Sequence, residues 1–227
     1  MSVTTPVTDT WLLIPLYNEA AVIGDVITEA RKVFPNIICV DDGSKDASAK
    51  IAERAGAVVI YHPINLGQGA ALQTGLEFFH TRTDGKYCIT FDADGQHRVE
   101  DALHMVKTAR DGDLDIVFGS RFRGTKVEAN WLKSIVLQAT ARVSNRKTGL
   151  KLTDSHNGLR LLSHEAAGRV HLMHNRMAHA SEIVHQLADS KLPWAEVPVH
   201  IRYTDYSRSK GQSMLNSINI LVELLFS

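Results

Sequence analysis

Two aspartates with one residue between them, Asp92 and Asp94, are the clearest candidates in this sequence for binding a metal ion. They follow the apolar run 86–91, which predicts that both carboxylates stand at the end of a strand. Carboxylate oxygens suit Mg²⁺ and Mn²⁺, and such ions often share their site with substrate phosphates. Gln96 could add an amide oxygen. The pattern indicates a divalent cation site, although a solvated turn has the same residues.

A glycine-containing segment upstream offers a second kind of chemistry. Residues 65–69 read Asn-Leu-Gly-Gln-Gly and come just before a predicted helix. Glycine lets a backbone approach a ligand closely, and the N–H groups at a helix start attract anions, so Gly69 is a candidate substrate contact. The segment matches neither a Walker A loop nor a G-x-G-x-x-G fingerprint. A plain turn between a loop and a helix is the alternative.

The elements that must position these residues alternate along the first half of the chain. Apolar runs predict strands, and helical spacing of apolar residues predicts helices between them. The strands are expected at 11–16, 37–40, 57–60, 86–91 and 115–118, and the helices at 19–33, 45–55, 67–80 and 99–110. This order predicts an α/β fold with a doubly wound, mostly parallel sheet and helices on both faces.

The second half of the chain is less regular. It predicts helices at 131–146, 163–172, 179–190 and 213–226, and a strand at 194–201. Because no repeat or low-complexity linker interrupts the chain, we expect a tail at 1–9, a single domain at 10–212 and an apolar helix at 213–227. That helix is too short to span a bilayer, and it could face a membrane or a protein partner.

Polar residues follow all five predicted strands of the first half. Ligands bind beyond the carboxyl ends of the strands in such sheets, and these ends share one edge. One polar loop is usually a helix cap, whereas five at one edge predict a common site. The segments are Pro-Leu-Tyr-Asn-Glu (15–19), Asp-Asp-Gly-Ser-Lys-Asp (41–46), Asn-Leu-Gly-Gln-Gly-Ala-Ala (65–71), Asp-Ala-Asp-Gly-Gln-His (92–97) and Gly-Ser-Arg (119–121).

In this order and spacing, the five segments resemble those of family 2 glycosyltransferases, which have the GT-A fold. The similarity continues with Asp-Ser-His-Asn-Gly-Leu-Arg at 154–160 and with Glu182, where the family usually has an acid. Glu-Val-Pro-Val at 196–199, followed by Ser-Lys at 209–210, resembles the polyprenyl-phosphate sugar transferases of the dolichyl-phosphate mannose synthase type. The resemblance covers residues 10 to 212.

The resemblance implies roles for individual residues. A first group would hold the base and ribose of a nucleotide-sugar. A second would hold the diphosphate and a metal cofactor, Mg²⁺ or Mn²⁺, and the backbone around Ala93 would contact the nucleotide. A third would pair with phosphate oxygens. In that order they are Pro15, Tyr17, Glu19, Val40 and Asp42; Asp92, Ala93, Asp94 and Gln96; and Arg121 and Lys210.

The acceptor decides whether a general base is needed. Breaking the bond from the sugar to the diphosphate builds negative charge on the leaving group, which cations stabilise. With no distinctive nucleophile in the sequence, direct displacement with inversion is expected. A hydroxyl acceptor would need a base, for which Glu182 is the first candidate and Asp154 the second. A phosphate acceptor is mostly ionised at pH 7, and Glu182 would then orient substrate or support the site.

One position departs from the dolichyl-phosphate enzymes. They carry an arginine six residues before the lysine of the Ser-Lys pair, where this chain has Thr204. Arg202 and Arg208 are close by and could supply the charge from a polar loop. Lys133 lies in an apolar and basic segment that could meet a lipid phosphate at a membrane surface, or could be an ordinary core helix.

Composition narrows the possible functions. The chain has 227 residues, of which 44% are hydrophobic, with 25 Lys+Arg and 25 Asp+Glu. This content excludes a disordered chain, and the charge balance argues against binding nucleic acid by bulk electrostatics.

The first prediction is an inverting, metal-dependent glycosyltransferase that moves a sugar from a nucleotide-sugar to a polyprenyl phosphate. We expect it to be cytoplasmic and peripheral at the membrane face, with the membrane surface or a membrane protein as a partner. One alternative is a family 2 enzyme acting on a saccharide hydroxyl in cell-surface polysaccharide synthesis. Another is a nucleotide-sugar-binding module without catalysis.

Overall fold

A single mixed sheet organises the molecule. The computed structural model describes residues 5–123, 145, 148–175 and 178–202. In chain order the strands of this part are β1 (Thr10–Leu16), β2 (Asn36–Asp41), β3 (Val58–Tyr61), β4 (Tyr87–Thr90), β5 (Ile116–Ser120), β6 (Arg160–Ser163) and β7 (Trp194–Pro198). They form one sheet of order β3-β2-β1-β4-β6-β5-β7. Neighbouring strands are parallel except at β6, which runs antiparallel to both β4 and β5.

Helices cover both faces of this sheet. They are α1 (Ile23–Ala30), α2 (Ser48–Arg54), α3 (Gln68–Arg82), α4 (Val99–Gly112), α5 (His164–Gly168) and α6 (His179–Asp189). Along β1, Leu12 and Ile14 face a core shared with α1, α2 and α4, while Leu13 faces a second core shared with α3, α5 and α6. This alternation explains the continuous apolar run, since both faces of the strand are buried. The predicted α/β class with a mostly parallel sheet is confirmed.

The direction of the strands gathers the loops as predicted. Because β1 to β5 are oriented alike, the loops that follow them come out at one edge of the sheet. The antiparallel strand β6 begins at that same edge with Arg160, so the segment 154–160 arrives there as well. Strand β6 was not predicted from the sequence. Its apolar residues are only Leu161 and Leu162, which stand between Arg160 and Ser163, so the sequence shows neither the apolar run nor the alternation that marks a strand.

The helix predicted at 19–33 is shortened to α1. Two predicted elements of the second half are also clearly shorter in the structure, and two more lie largely outside the described residues. The helix predicted at 163–172 is limited to α5, and the strand predicted at 194–201 ends at Pro198. After α5, side chains rather than helical carbonyls accept the N–H groups: His171 donates to Gln186 and Leu172 donates to Gln73. The predicted helix 213–226, and that at 131–146 apart from residue 145, lie outside the described residues. No helix in the described part is both long and apolar enough to cross a bilayer.

Candidate active site

A cavity of about 450 Å³ opens at the edge where the loops meet. The loops after β1, β2, β3 and β4 form its walls. Seven residues proposed from the sequence line it together: Pro15, Tyr17, Glu19, Asp42, Asp92, Ala93 and Asp94. Val40 does not; it is fully buried in the core between the sheet and α3.

The loops after β1 and β2 are tied to each other by hydrogen bonds. The amide of Asn18 donates to Ser44 Oγ at 2.9 Å, and the amide of Glu19 donates to Ser48 Oγ at 2.7 Å. In return, the amide of Lys45 donates to Asn18 Oδ1 at 2.9 Å. Asn18 has a φ of 53°, a left-handed conformation that asparagine tolerates better than most residues. These contacts fix the backbone that presents Tyr17 and Glu19 to the cavity.

Asp42 is held by a residue that the sequence analysis overlooked. Its carboxylate is buried, and its Oδ1 atom lies 2.8 Å from Nδ1 of His62. The same oxygen accepts the amide of Leu66 at 2.9 Å, and Oδ2 accepts the amide of Gly67 at 2.7 Å. His62 Nε2 lies 2.9 Å from Oγ1 of Thr74, on α3. Asp42 therefore joins β2 to the loop that begins α3, as well as lining the cavity.

The packing of the protein itself explains why position 69 is a glycine. Its N–H donates to the carbonyl oxygen of Asn175 at 2.9 Å, and a Cβ at this position would collide with the carbonyl oxygen of His174. The expected contact between the Gly69 amide and phosphate differs from this arrangement, because the amide faces protein. The glycine is needed for close packing of two backbones, a requirement that looks the same in sequence as close approach to a ligand.

Asp92 is surrounded by basic side chains. Its Oδ2 atom lies 2.9 Å from Nε2 of His97, whose side chain is only 3% exposed. Burial acts to raise the pKa of Asp92, but the charges of His97, Arg160 and His179 outweigh burial and lower that pKa. A Cβ on Gly158 would stand 2.9 Å from Asp92 Oδ2, so the glycine leaves room for the carboxylate. His97, which the sequence marks only by its place beside the Asp pair, contacts this aspartate.

Asp94 has the opposite electrostatic situation. Burial and the negative charge of Asp92 raise its pKa, with a smaller contribution from Glu19, although the amide of Gln96 donates to Oδ1 at 3.0 Å. Like charges that raise a pKa in this way are relieved by a bound cation. Within the described residues, no group of three or more His, Cys, Asp or Glu side chains could hold a metal. The pair fits an ion that takes its other ligands from water, substrate oxygens or an amide such as that of Gln96.

Arg121 and Asp154 form a two-pronged ion pair. Arg121 Nε lies 2.7 Å from Asp154 Oδ2, and Arg121 Nη2 lies 2.8 Å from Oδ1. Asp154 is buried; burial acts to raise its pKa, but the hydrogen bonds and charge of Arg121 lower it. Its amide is in turn held by Glu196 Oε1 at 3.1 Å. Asp154 is thus a weak base that orients Arg121, which differs from its predicted role as a base or substrate contact.

Arg160, at the start of β6, is buried close to Asp92 and Asp154. Burial lowers the pKa of its guanidinium to about 10, although the charges of Asp92 and Asp154 act against that shift. Nearby, burial lowers the pKa of His156 to about 4, with Arg160 adding to the effect. In the sequence, Arg160 is notable only as the last residue of the segment 154–160. Its place beside Asp92 depends on β6 running antiparallel, which the sequence pattern did not indicate.

Glu182 accepts hydrogen bonds from a loop next to the start of α3. The amides of Met173 and His174 both donate to its carboxylate at 2.9 Å, and His174 Nδ1 lies 3.1 Å from Oε2. Partial burial acts to raise the pKa of Glu182, but the hydrogen bonds from these two backbone amides lower it. The loop it holds also accepts the N–H of Gly69, through Asn175. The arrangement matches support of the site better than proton abstraction.

Of the four other basic residues predicted to contact phosphate, only Arg202 is among the described residues. The guanidinium of Arg202 lies 3.3 Å from Glu29 and 3.7 Å from Glu100, and its amide donates to the carbonyl of Gln96. Arg202 therefore pairs with exposed carboxylates, while its backbone supports the loop of the Asp pair. The other three predicted cations, Lys133, Arg208 and Lys210, lie outside the described residues.

A similar fold is found in a solved structure of glucosyl-3-phosphoglycerate synthase from Mycobacterium tuberculosis in complex with Mn²⁺, uridine-diphosphate and phosphoglyceric acid. The TM-score is 0.69 at 18% identity, covering 95% of this chain and 77% of that chain. At this identity, the similarity concerns the fold alone. Together with the sheet order, it places the chain in the GT-A class of glycosyltransferase folds.

Sequence comparisons give the family. The sequence profile of Glycosyl transferase family 2 matches residues 11–170. An uncharacterized protein of Methanocaldococcus jannaschii is 34% identical over 226 residues, covering 95% of this chain and 90% of that protein. The UDP-N-acetylglucosamine–dolichyl-phosphate N-acetylglucosaminyltransferase of Methanococcus voltae is 30% identical over 237 residues, covering 95% and 94%. The chain belongs to glycosyl transferase family 2, and the predicted class of enzyme is confirmed.

Proposed function

We propose that this chain transfers a sugar from a nucleotide-sugar to a polyprenyl phosphate, with inversion at the anomeric carbon. The observation that carries the proposal is the cavity, which has the Asp92 and Asp94 carboxylates on one side and Tyr17 and Asp42 on the other. Such a cavity suits a ligand with a charged diphosphate and a neutral, hydrogen-bonding nucleoside. The relative in Methanococcus voltae, whose name includes both UDP-N-acetylglucosamine and dolichyl phosphate, supports this choice of donor and acceptor.

The metal belongs to the diphosphate side of the site. Asp92 and Asp94 would hold Mg²⁺ or Mn²⁺, with Gln96 as a further oxygen ligand. When bound, the ion supplies positive charge to the leaving nucleoside diphosphate. Asp94, whose pKa is raised by burial and by Asp92, accommodates its own negative charge poorly without a counter-charge. The complex of the structural relative with Mn²⁺ and uridine-diphosphate is in keeping with this assignment.

The residues around the site favour an acceptor that needs no general base. Glu182 and Asp154 both have lowered pKa values, and both carboxylates already accept hydrogen bonds from fixed donors. A phosphate monoester carries its own negative charge near pH 7 and can attack without losing a proton to the protein. Arg121, oriented by Asp154, would stabilise phosphate oxygens from one side. Lys210, Arg208 and Lys133 remain proposals for further phosphate contacts.

A lipid acceptor implies that the enzyme works at a membrane surface, which we propose to be the cytoplasmic face. The apolar segment 214–226 is the proposed attachment, either to lipid or to a membrane protein. Deleting these residues should lower the fraction of protein that sediments with liposomes made of neutral and anionic phospholipids. Equal sedimentation of the full and shortened chains would reject this attachment without touching the proposed reaction.

A matched screen tests the reaction itself. The full chain is incubated with Mg²⁺ or Mn²⁺, a panel of UDP-, GDP- and dTDP-sugars, and a short polyprenyl phosphate, and both released nucleoside diphosphate and lipid-linked sugar are measured. The matched alcohol, which lacks the phosphate, and an oligosaccharide serve as alternative acceptors. Transfer to the phosphate alone supports the proposal. Transfer to a saccharide hydroxyl alone would replace it with the polysaccharide alternative, and binding without any transfer would indicate a non-catalytic module.

A further inference from the structure

His62 bridges two parts of the cavity wall. On one side its Nδ1 atom lies 2.8 Å from Oδ1 of Asp42, at the end of β2. On the other side its Nε2 atom lies 2.9 Å from Oγ1 of Thr74, on α3. The side chains of His62 and Asp42 are 9% and 4% exposed, so little water is available to replace either contact. The three side chains form a hydrogen-bonded chain behind the cavity.

The direction of the hydrogen bonds follows from the chemistry of the partners. An ionised carboxylate can only accept, so the 2.8 Å contact requires the proton on Nδ1 of His62. Neutral His62 then has an unprotonated Nε2, which accepts from the hydroxyl of Thr74. The hydroxyl thereby stabilises the tautomer that donates to Asp42, and α3 helps to orient the carboxylate through the imidazole.

This arrangement leaves Asp42 with one acceptor position for a ligand. A carboxylate has about four lone-pair positions, two on each oxygen. His62 and the amide of Leu66 occupy both positions on Oδ1, and the amide of Gly67 occupies one on Oδ2. Within the described residues, no hydrogen bond is found at the second position on Oδ2. Because Asp42 lines the cavity, this position is available to a ligand there. The imidazole therefore fixes which oxygen meets the ligand.

We propose that His62 is a positioning residue for the nucleotide: it acts through Asp42, and Thr74 supports it. The proposal rests on the proposed function, since it takes the cavity to be the donor site. Losing a hydrogen bond to a buried carboxylate in this setting should weaken nucleotide binding about tenfold or more. The chemical step depends on the other side of the cavity, so kcat should change little.

The test measures binding of UDP, GDP, ADP, CDP and dTDP, each with Mg²⁺, by calorimetry on the full chain. For the nucleotide that binds, His62→Ala should raise Kd about tenfold or more. His62→Asn should keep Kd within about threefold, because the Asn amide nitrogen stands in the position of Nδ1 and still donates to Asp42. Thr74→Val should raise Kd by a smaller factor, and Thr74→Ser should restore it. His104→Ala, at an exposed position on α4, is the matched control and should have no effect.

Kinetics and unfolding separate positioning from packing. In the transfer reaction, His62→Ala should raise KM for the donor with kcat changed less than about threefold. Unchanged Kd in a folded His62→Ala protein, or equal loss in the Ala and Asn variants, would overturn the positioning role. If His62→Ala does not fold, Thr74→Val against Thr74→Ser and His62→Asn against His62→Gln make the same comparison. A wild-type chain that binds none of the five nucleotides would instead reject the donor site and the proposed function with it.

Discussion

The two sides of the cavity satisfy their carboxylates in different ways. On the proposed nucleoside side, Asp42 accepts hydrogen bonds from two backbone amides and an imidazole N–H, which are fixed donors already in place. On the proposed diphosphate side, His97 and Arg160 lower the pKa of Asp92, whereas burial and repulsion by Asp92 raise the pKa of Asp94. On the first side only one acceptor position of Asp42 is left for a ligand, while the second side has unbalanced negative charge.

From this difference we infer that the two sides of the site have different functions. Fixed neutral donors hold a shape, which suits selection of a nucleoside by hydrogen bonds and fit. Paired carboxylates with like charge hold an electrostatic strain that a divalent cation removes, so ion and diphosphate binding are coupled on that side. Changes on the diphosphate side should therefore affect the rate of transfer, and changes on the nucleoside side should affect affinity.

The largest effect is expected from Asp94→Asn. Removing one of two carboxylates should weaken the metal site and reduce turnover by about a thousandfold or more, as measured by release of nucleoside diphosphate. Substituting Glu100, an exposed acid on α4, with Gln provides the matched control. Turnover within tenfold of the wild type would remove Asp94 from the metal site and erase the contrast between the two sides.

Asp154→Asn should reveal how far Arg121 depends on its partner. The substitution leaves a guanidinium facing a neutral amide in a buried position, and breaking such a pair costs about 3 kcal/mol of the free energy of unfolding. Urea denaturation measures this loss directly. Turnover should also fall, because Asp154 no longer orients Arg121 for its proposed contact with phosphate. A variant with wild-type stability would show that the pair is not an organising contact.

Glu182→Gln should have a smaller effect on turnover, less than about tenfold. The amides of Met173 and His174 can still donate to the remaining carbonyl oxygen of Gln, so much of the loop support survives. Initial rates with a polyprenyl phosphate acceptor provide the measurement. A loss of several orders of magnitude would identify Glu182 as a general base and favour a hydroxyl acceptor.

The pH dependence of stability should have opposite signs for two neighbouring aspartates. Asp92 has a lowered pKa, so its contribution to stability is present above the ordinary aspartate range near pH 4 and disappears as the pH falls through its folded value. Asp94 has a raised pKa, so its ionised form destabilises the fold and this cost disappears as the pH falls through its folded value. In metal-free buffer, Asp94→Asn should therefore unfold at the same or a higher temperature than the wild type at pH 7. A clear drop in melting temperature would contradict the like-charge interpretation.

Much of the fold was accessible from local patterns. Strand β1 was predicted within one residue, because a strand that is buried on both faces has a continuous apolar run. The order of strands and helices then implied a parallel sheet and a shared edge for five loops. Strand β6 was missed because its four residues begin with an arginine, and only its neighbours β4 and β5 make that arginine part of a sheet.

The candidate site was predicted by residue type but not by contact. The motifs led to Tyr17, Asp42 and Asp92, all of which line one cavity. The partners of these residues were not found, since His62 is twenty positions from Asp42 and its histidine side chain carries no local signal of a role.

The sequence by itself determined which groups reach the edge of the sheet, because hydrophobic periodicity sets the strands and the strands set the direction of each loop. Only the tertiary structure decided what each group does there. Gly69 turned toward Asn175, Asp154 turned toward Arg121, and Asp42 turned toward His62, in each case through partners distant in sequence. The physical reason is that hydrogen bonds and ion pairs depend on distances of a few ångströms, which packing of the whole chain fixes and local patterns do not.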